Sequence, residues 1–382
     1  MPGRSVRTAT VMALALTVAS SALGCKQKSE SIVVGSYLSL SGVDSTFGTD
    51  TKDGIELALE QANAAGGAKG KKLTVVYEDD KSSPQEVSTK VHELIDRDAV
   101  VALLGEVASS RSMVGGLVAN TSKVPMITPS STAVEVTKDR AYVFRTCFTN
   151  TQQGDAAARF AHDGRKWTSA AILYVAQDNY SSGLAQTFRD AFTRLGGSIA
   201  VEKGYQKGET NFTTYLSELK AKSPDVIFVP VYYNDMVQIA RQGKALGLSG
   251  AMFLGGDAWD SADLLEGAGA ELEGAHFMDH YAPDVPWPNS RAFVTAFQAK
   301  FGHDPGSIAA QGYDAARLLF DAINRAKAVT REAVRAQIAE TKDFAGATGT
   351  MTMDADHNAT KPIVVVVVKG KKFAYETQIV AN

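Results

Sequence analysis

Three short stretches combine hydroxyls, backbone donors and a carboxylate in a way that could hold a small charged guest. In the first, Ala108-Ser109-Ser110 follows the apolar run Val100-Val101-Ala102-Leu103-Leu104-Gly105 and precedes Arg111 to Ala119, which reads as a helix with Ser109 or Ser110 as its N-cap. A strand buried on both faces that runs into a hydroxyl-bearing helix start presents free N–H groups and the positive end of a helix dipole, which together make an anion site. The second, Thr128-Pro129-Ser130-Ser131-Thr132, offers hydroxyls and backbone N–H groups together at another strand end. The third, Gly255-Gly256-Asp257-Ala258-Trp259, sets an acid beside an aromatic where a cation can be held. Hydroxyls on one side and a carboxylate on the other suit a zwitterion, such as an amino acid. Each stretch also has a plain structural account: serines at strand ends cap helices, and Asp after Gly-Gly often makes a turn.

Regular alternation of strand and helix positions these stretches. Ile32 to Leu38 reads as a strand, Ser39 to Thr51 as a loop, and Lys52 to Ala65 as a helix ended by Gly66-Gly67. Leu73 to Tyr77 is a strand, Ser83 to Arg97 a helix with Pro84 at its first position, and Val124 to Pro129 a further strand. The plan restarts after Asn150, with strands at Ala170–Val175, Ser198–Val201, Val226–Pro230 and Ala251–Gly255 separated by helices. Short connections between alternating elements predict parallel sheets flanked by helices. The later segments, helices at Arg291–Phe301, Ile308–Ala326 and Thr330–Glu340 and strands near Gly349–Met353, Ile363–Val368 and Phe373–Val380, must return to both units. The expected fold class is therefore α/β, with two doubly wound Rossmann-like lobes and several crossings between them. Ligands of such folds sit at the C-terminal ends of the strands.

The 382 residues, 45% hydrophobic and 21% charged, are enough for two cores. A net charge of −3 without a long basic run excludes the usual electrostatic footprint of a nucleic-acid binder. Arg4 and Arg7, the apolar segment Thr10 to Leu23 and then Gly24-Cys25 follow the grammar of a signal peptide, too short to span a membrane comfortably. A small residue before Cys resembles a bacterial lipobox, which would make Cys25 the lipidated first residue of the mature chain; an ordinary cleaved signal with an incidental Cys is the alternative. Cys147 is then the single mature cysteine, which excludes an intrachain disulfide and reads as a small buried hydrophobe.

Other arrangements fall short of their chemistry. His276, Asp279 and His280 lie in an extended segment that spreads them apart, with too few ligands for a metal. Asp354, Asp356 and Asn358 open like a calcium loop, but Ala359 and Val365 occupy the positions that need Gly and Glu, so a hairpin turn is expected. Ser109 has no evident His partner and no Gly-x-Ser-x-Gly elbow exists, so no enzyme activity and no cofactor are expected.

From Ile32 to the C-terminal strands the chain resembles the periplasmic leucine/isoleucine/valine-binding proteins that serve ABC importers. The resemblance is carried by Leu40-Ser41-Gly42 with Phe47-Gly48, Asn63-Ala64-Ala65-Gly66-Gly67, Tyr77-Glu78-Asp79-Asp80, Ser109-Ser110, Ile127 to Thr132, Asp178-Asn179-Tyr180, Asp225 to Phe228 and Gly312-Tyr313-Asp314-Ala315, in order and spacing. It implies a type I periplasmic binding protein with a three-crossover hinge. The implied divisions are a lipoprotein signal peptide 1–24, a tether 25–31, an N-terminal lobe 32–148 plus 281–349, and a C-terminal lobe 149–280 plus 350–382. It further implies that Ser109, Ser130 and Thr132 hold an α-carboxylate, and that Thr132, Ser130 and Asp257 hold an α-amine. Asp257 stands where amino-acid-binding members usually carry Glu, one methylene shorter with the charge retained. Side-chain pocket positions fall on Phe47, Val107, Ala108, Tyr180, Tyr232 and Ile308, with Trp259 an extra candidate for the wall. Ala108 stands at one end of a disulfide common in leucine-binding relatives. The implied protein is a monomeric, extracytoplasmic solute-binding lipoprotein, in the periplasm or on the cell surface. Anchored through Cys25, it would deliver an apolar amino acid, branched-chain or aromatic, to an ABC-transporter permease. Relatives of this fold that bind amides, urea or aromatic carboxylates, and sensors that signal to a receptor, are the alternatives.

Overall fold

The structure, a computed structural model, describes residues 1–3 and 31–380; the rest of the expected signal segment, Cys25 and nearly all of the tether lie outside the described residues. The first lobe is wound as β1 (Ile32–Leu38), α1 (Ser45–Ala64), β2 (Leu73–Asp79), α2 (Pro84–His92), β3 (Leu103–Leu104), α3 (Ser109–Thr121), β4 (Met126–Thr128) and β5 (Val143–Arg145). Its five strands are parallel in the order β2-β1-β3-β4-β5. The second lobe contains α4 (Asn150–Arg159), β6 (Ser169–Val175), α5 (Asn179–Arg194), β7 (Ser198–Tyr205), α6 (Thr213–Lys220), β8 (Val226–Val229), α7 (Tyr233–Ala245), β9 (Phe253–Gly255), α8 (Ala262–Ala268) and β10 (His276–Asp279). Its parallel strands run β7-β6-β8-β9-β10, which is the order of the first lobe repeated. Both lobes therefore reverse strand order beside their first strand, and that reversal opens a crevice at the strand C-termini.

The chain then returns to the first lobe with α9 (Pro288–Phe301), α10 (Ser307–Arg325) and α11 (Arg331–Ala339). A three-stranded sheet of β11 (Phe344–Gly346), β12 (Gly349–Met353) and β13 (Ala359–Thr360) follows. Finally β14 (Ile363–Lys369) and β15 (Lys372–Ile379) extend the second sheet antiparallel, β14 against β10. The lobes are thus joined by three crossings: β5 to α4, β10 to α9 and β13 to β14. Val364, Val365, Val366 and Val368 of β14 are fully buried, as expected of a near-continuous apolar strand with both faces covered.

Four expectations are corrected. The run Val100–Leu104 forms only a two-residue strand at Leu103–Leu104. The helix expected from Lys52 begins at Ser45, because burial outweighs the weak helix propensity of Ser45 to Thr51. Phe47 is buried there, Thr51 Oγ1–H donates to the Phe47 carbonyl at 2.8 Å, and Gly48 lies so close to Ser39 that an added Cβ would sit 2.0 Å from its carbonyl oxygen. Ala108, not Ser109 or Ser110, is the N-cap of α3, and Ser109 is its first helical residue. Finally, the expected division after residue 349 falls inside β12. The segment after β12 stays against the first lobe, where the Arg145 N–H donates to the His357 carbonyl at 3.0 Å and the His357 ring stacks on Phe144. Asp354 accepts the N–H groups of Asp356 and Asn358 and so makes the expected turn between β12 and β13.

Candidate binding cleft

The segment after β4 turns on itself next to the switch point of the first lobe, against the segment that follows β3. Thr128 Oγ1–H donates to the Glu106 carbonyl at 2.7 Å and accepts the Ser131 N–H at 3.1 Å. Ser131 Oγ–H donates to the Val107 carbonyl at 2.7 Å, which fastens the turn to the segment before α3. Arg145, fully buried at the end of β5, pins the turn from behind: its guanidinium donates to the carbonyls of Ser131 at 2.8 Å and Ala133 at 2.9 Å and to Thr137 Oγ1 at 3.0 Å. With the carbonyls held behind, the hydroxyls of Ser130 and Thr132 are left buried and without a hydrogen-bond partner among the described residues. Ser109 Oγ accepts the Ala133 N–H at 3.2 Å, so it braces the same turn.

In the second lobe the corresponding switch point places Tyr180 in the first turn of α5 and Tyr232 just before α7. Their rings lie 5.3 Å apart, and Phe47 of the first lobe lies 6.1 Å from Tyr232 and 5.0 Å from Tyr233. Phe47, Tyr232 and Tyr180 therefore form one aromatic run that spans both lobes. The Tyr180 hydroxyl accepts the Ala258 N–H at 3.3 Å, which carries the run to the end of β9 and to Asp257. Burial pushes the Tyr180 hydroxyl pKa well above its ordinary value, and the nearby Asp257 adds to that, so it remains a neutral phenol.

Asp257 is 4% exposed. Gln153 Nε2–H donates to its Oδ1 at 2.8 Å, and His280 Nε2 lies 3.2 Å from its Oδ2. Burial pushes the His280 pKa down to about 4, and the Phe148 ring stacks on it at 3.5 Å, so the imidazole is neutral and its Nε2–H donates to Asp257. The crossing from β5 to α4 ties this group to the first lobe. The Asn150 N–H donates to the Thr132 carbonyl at 2.7 Å, and Asn150 Nδ2 donates to the Tyr180 carbonyl at 3.0 Å. Thr132, Tyr180 and Asp257 are thus linked through a short series of hydrogen bonds that passes between the lobes.

Val107 and Ala108 are buried at the segment that anchors the turn. Ile308 lies in the first turn of α10, where its neighbour Ser307 donates through N–H to Asp260 and through Oγ–H to Asp279. Trp259 is a core residue of the second lobe: its indole N–H donates to the Val229 carbonyl and its ring covers Gly255. Cys147 is free and fully buried, and burial pushes its thiol up to about 12.

Residue patterns alone did not expose Gln153, which has no motif of its own, or the role of His280, which stood out only as a poor metal ligand. They also missed a buried charge group beside Tyr232. There the Arg111 guanidinium lies 2.8 Å from Asp44 and 3.2 Å from Glu106, while Glu106 also accepts the Ser39 hydroxyl at 2.7 Å. Burial opposes the Arg111 charge, and Glu106 and Asp44 outweigh it, so the pKa is raised.

Two α/β lobes with three crossings and a cleft between matching switch points define a hinged solute-binding fold. Residues 31–372 match the family model described as periplasmic binding protein, and the chain belongs to that family. Among curated proteins, the leucine-, isoleucine-, valine-, threonine- and alanine-binding protein of Pseudomonas aeruginosa is 28% identical, over 82% of this chain and 83% of that protein. The solved leucine-binding protein LivK of Thermotoga maritima is 33% identical with a TM-score of 0.86, covering 91% of this chain and 98% of its own. The branched-chain amino acid transporter substrate-binding protein LivJ of Streptococcus pneumoniae, solved with isoleucine, is 28% identical with a TM-score of 0.85, covering 92% of this chain and 99% of its own.

Proposed function

We propose that this chain is the extracytoplasmic solute-binding component of an ABC importer and captures an apolar amino acid between its lobes. The observation that carries this is the pair of buried hydroxyls of Ser130 and Thr132, without a partner among the described residues, on a turn whose Thr132 carbonyl is tied through Asn150 to Tyr180 beside the buried Asp257. Buried polar atoms normally find partners, and a zwitterion's carboxylate supplies one for the hydroxyls while its ammonium balances the buried carboxylate of Asp257. Its carboxylate accepts from the Ser130 and Thr132 region, with Ser109 bracing the turn, and its ammonium donates to Asp257. Charge-assisted bonds at both ends fix the guest's orientation. The Phe47, Tyr232 and Tyr180 rings, with Val107, Ala108 and Ile308, take the apolar side chain. One methylene in such a pocket is worth only about 1–3 kcal/mol, so several aliphatic or aromatic amino acids are accepted. Lobe closure buries the guest, and a membrane permease receives it from the monomeric chain.

Calorimetry on the mature chain with leucine, isoleucine, valine, phenylalanine and benzoate tests this reading. Amino acids bind tightly and benzoate far more weakly, since Asp257 repels a bare acid. Replacing Asp257 with Ala costs roughly 2–5 kcal/mol of leucine affinity, the usual cost of removing one partner of a buried charge pair. Binding of benzoate with no response to amino acids would overturn the zwitterion.

The same reading places the mature chain at a membrane surface through a lipid on Cys25. Mass spectrometry of the exported protein checks this: the mature N-terminus carries acyl mass on Cys25, and Cys25→Ala removes it.

A further inference from the structure

Gln153 is the fourth residue of α4 and is fully buried. Its position is fixed twice. The capping box of Thr149 and Gln152 sets where α4 begins, and the Asn150 N–H ties that first turn to the Thr132 carbonyl. The amide orientation follows from chemistry. Asp257 Oδ1 can only accept, so the end of the Gln153 amide 2.8 Å away must be the NH2 group. Oε1 then points elsewhere, buried and without a partner. It lies on the side of Gly256 that also faces the Tyr180 hydroxyl: a Cβ added at Gly256 would be 3.0 Å from Oε1 and 2.6 Å from that hydroxyl. Asp257 is held at its other oxygen by His280, so the carboxylate cannot swing away from the amide.

A buried amide acceptor left empty is costly, and none of the described residues, the nearby Tyr180 hydroxyl included, hydrogen-bonds to it. An ammonium group has three donors to place. The surroundings hold acceptors to match: the carboxylate of Asp257, the unpartnered Thr132 hydroxyl and the unpartnered Gln153 carbonyl. We propose that Gln153 is a recognition residue for the ligand's ammonium, accepting one of its N–H groups at Oε1 while its Nε2–H aims the Asp257 carboxylate at the same group. The inference rests on the zwitterion reading and sharpens it. Specificity for an amine over a ligand that lacks one then depends on two residues from different elements, α4 and the end of β9.

Leucine and 4-methylpentanoate, which is leucine without its amine, separate the possibilities when measured by calorimetry and, for weak binding, by displacement at millimolar concentration. Gln153→Leu and the less disruptive Gln153→Asn are compared with the native chain, with circular dichroism checking the fold. The expected result is a loss of about tenfold in leucine affinity (1.4 kcal/mol) with the affinity for 4-methylpentanoate changed less than about threefold, so the preference for the amine collapses. Leucine affinity unchanged in both variants, or equal losses for both ligands in folded variants, would overturn the role of Gln153 and leave the zwitterion reading standing. A native chain that binds no α-amino acid would overturn both.

Discussion

Thr132 carries the most direct consequence at the scale of single residues. Its hydroxyl is buried, unpartnered and set on a turn that Arg145 locks from behind. Thr132→Val keeps the shape and removes the hydroxyl, so calorimetry should read a loss of leucine affinity of about 1–3 kcal/mol with little change in melting temperature. Two titrating groups give opposite pH dependences. The His280 pKa is pushed down to about 4 by burial, below its ordinary 6.5. The unfolded chain therefore binds more protons between those values. Stability is full above pH 6.5 and falls as pH drops towards 4; of the charged groups facing the ring, Asp257 favours the imidazolium and Lys361 opposes it, and burial outweighs both. Asp50 is the reverse case, pushed up to about 7 by burial and by Asp260, Asp53 and Asp263. Its contribution is present at low pH and is lost as pH rises from 3.8 through 7. Asp50→Asn should thus raise the melting temperature most at pH 8, less at pH 5, and leave it nearly unchanged near pH 3. Asp257 could be picked out of the sequence because a strand end is local, whereas Tyr180 and Tyr232 were implied only by the family resemblance. Gln153, Arg111 and Arg145 could not, because a buried amide or guanidinium is defined by partners remote in the chain.

Helix α1 shows most clearly how elements depend on contact. Gly54 faces α10 so closely that an added Cβ would lie 2.0 Å from the Ala309 carbonyl, and Gly312 answers it with 2.5 Å to the Thr51 carbonyl. These are backbone-to-backbone approaches, which side-chain movement cannot relieve. Gly54→Ala is expected to destabilise the chain by at least the roughly 1–3 kcal/mol of an overpacked core, read as a lower urea midpoint. The apolar spacing of Ile55, Leu57 and Ala58 announced the C-terminal part of α1. Its first turns were hidden because Ser, Thr and Gly are poor helix formers unless packing holds them. In the same way β3, a two-residue strand, was legible as an apolar run but not in its length, which hydrogen bonds to β1 and β4 decide.

Across the whole molecule the lobes meet directly. The Tyr233 hydroxyl donates to the Val43 carbonyl at 3.1 Å, and Asn234 Nδ2 lies 3.4 Å from Asp44 Oδ1. Contacts of this kind favour the closed arrangement without touching a guest. Tyr233→Phe removes one hydrogen bond worth about 0.5–1.5 kcal/mol, and leucine affinity should fall by a corresponding few-fold with selectivity among amino acids unchanged. Thermal shift gives the matching readout for the native chain: leucine at about 100 times its Kd should add about 2.7 kcal/mol of stability. The repeated strand order of the two sheets explains why one cleft suffices. Each lobe reverses strand order beside its first strand, and the run of Phe47, Tyr232 and Tyr180 joins the two reversals.

Periodicity, turn residues and strand-end chemistry determined that this chain is α/β, that its plan is duplicated, and that hydroxyls and an acid stand at strand ends. These are local facts, written in the spacing of neighbours. Only the tertiary structure decided which strand ends share a cleft, which hydroxyls lose their partners and how the Asp257 carboxylate is aimed. Those outcomes depend on groups far apart in sequence meeting in a buried space, where each polar atom either finds a partner or is left to find one in a guest.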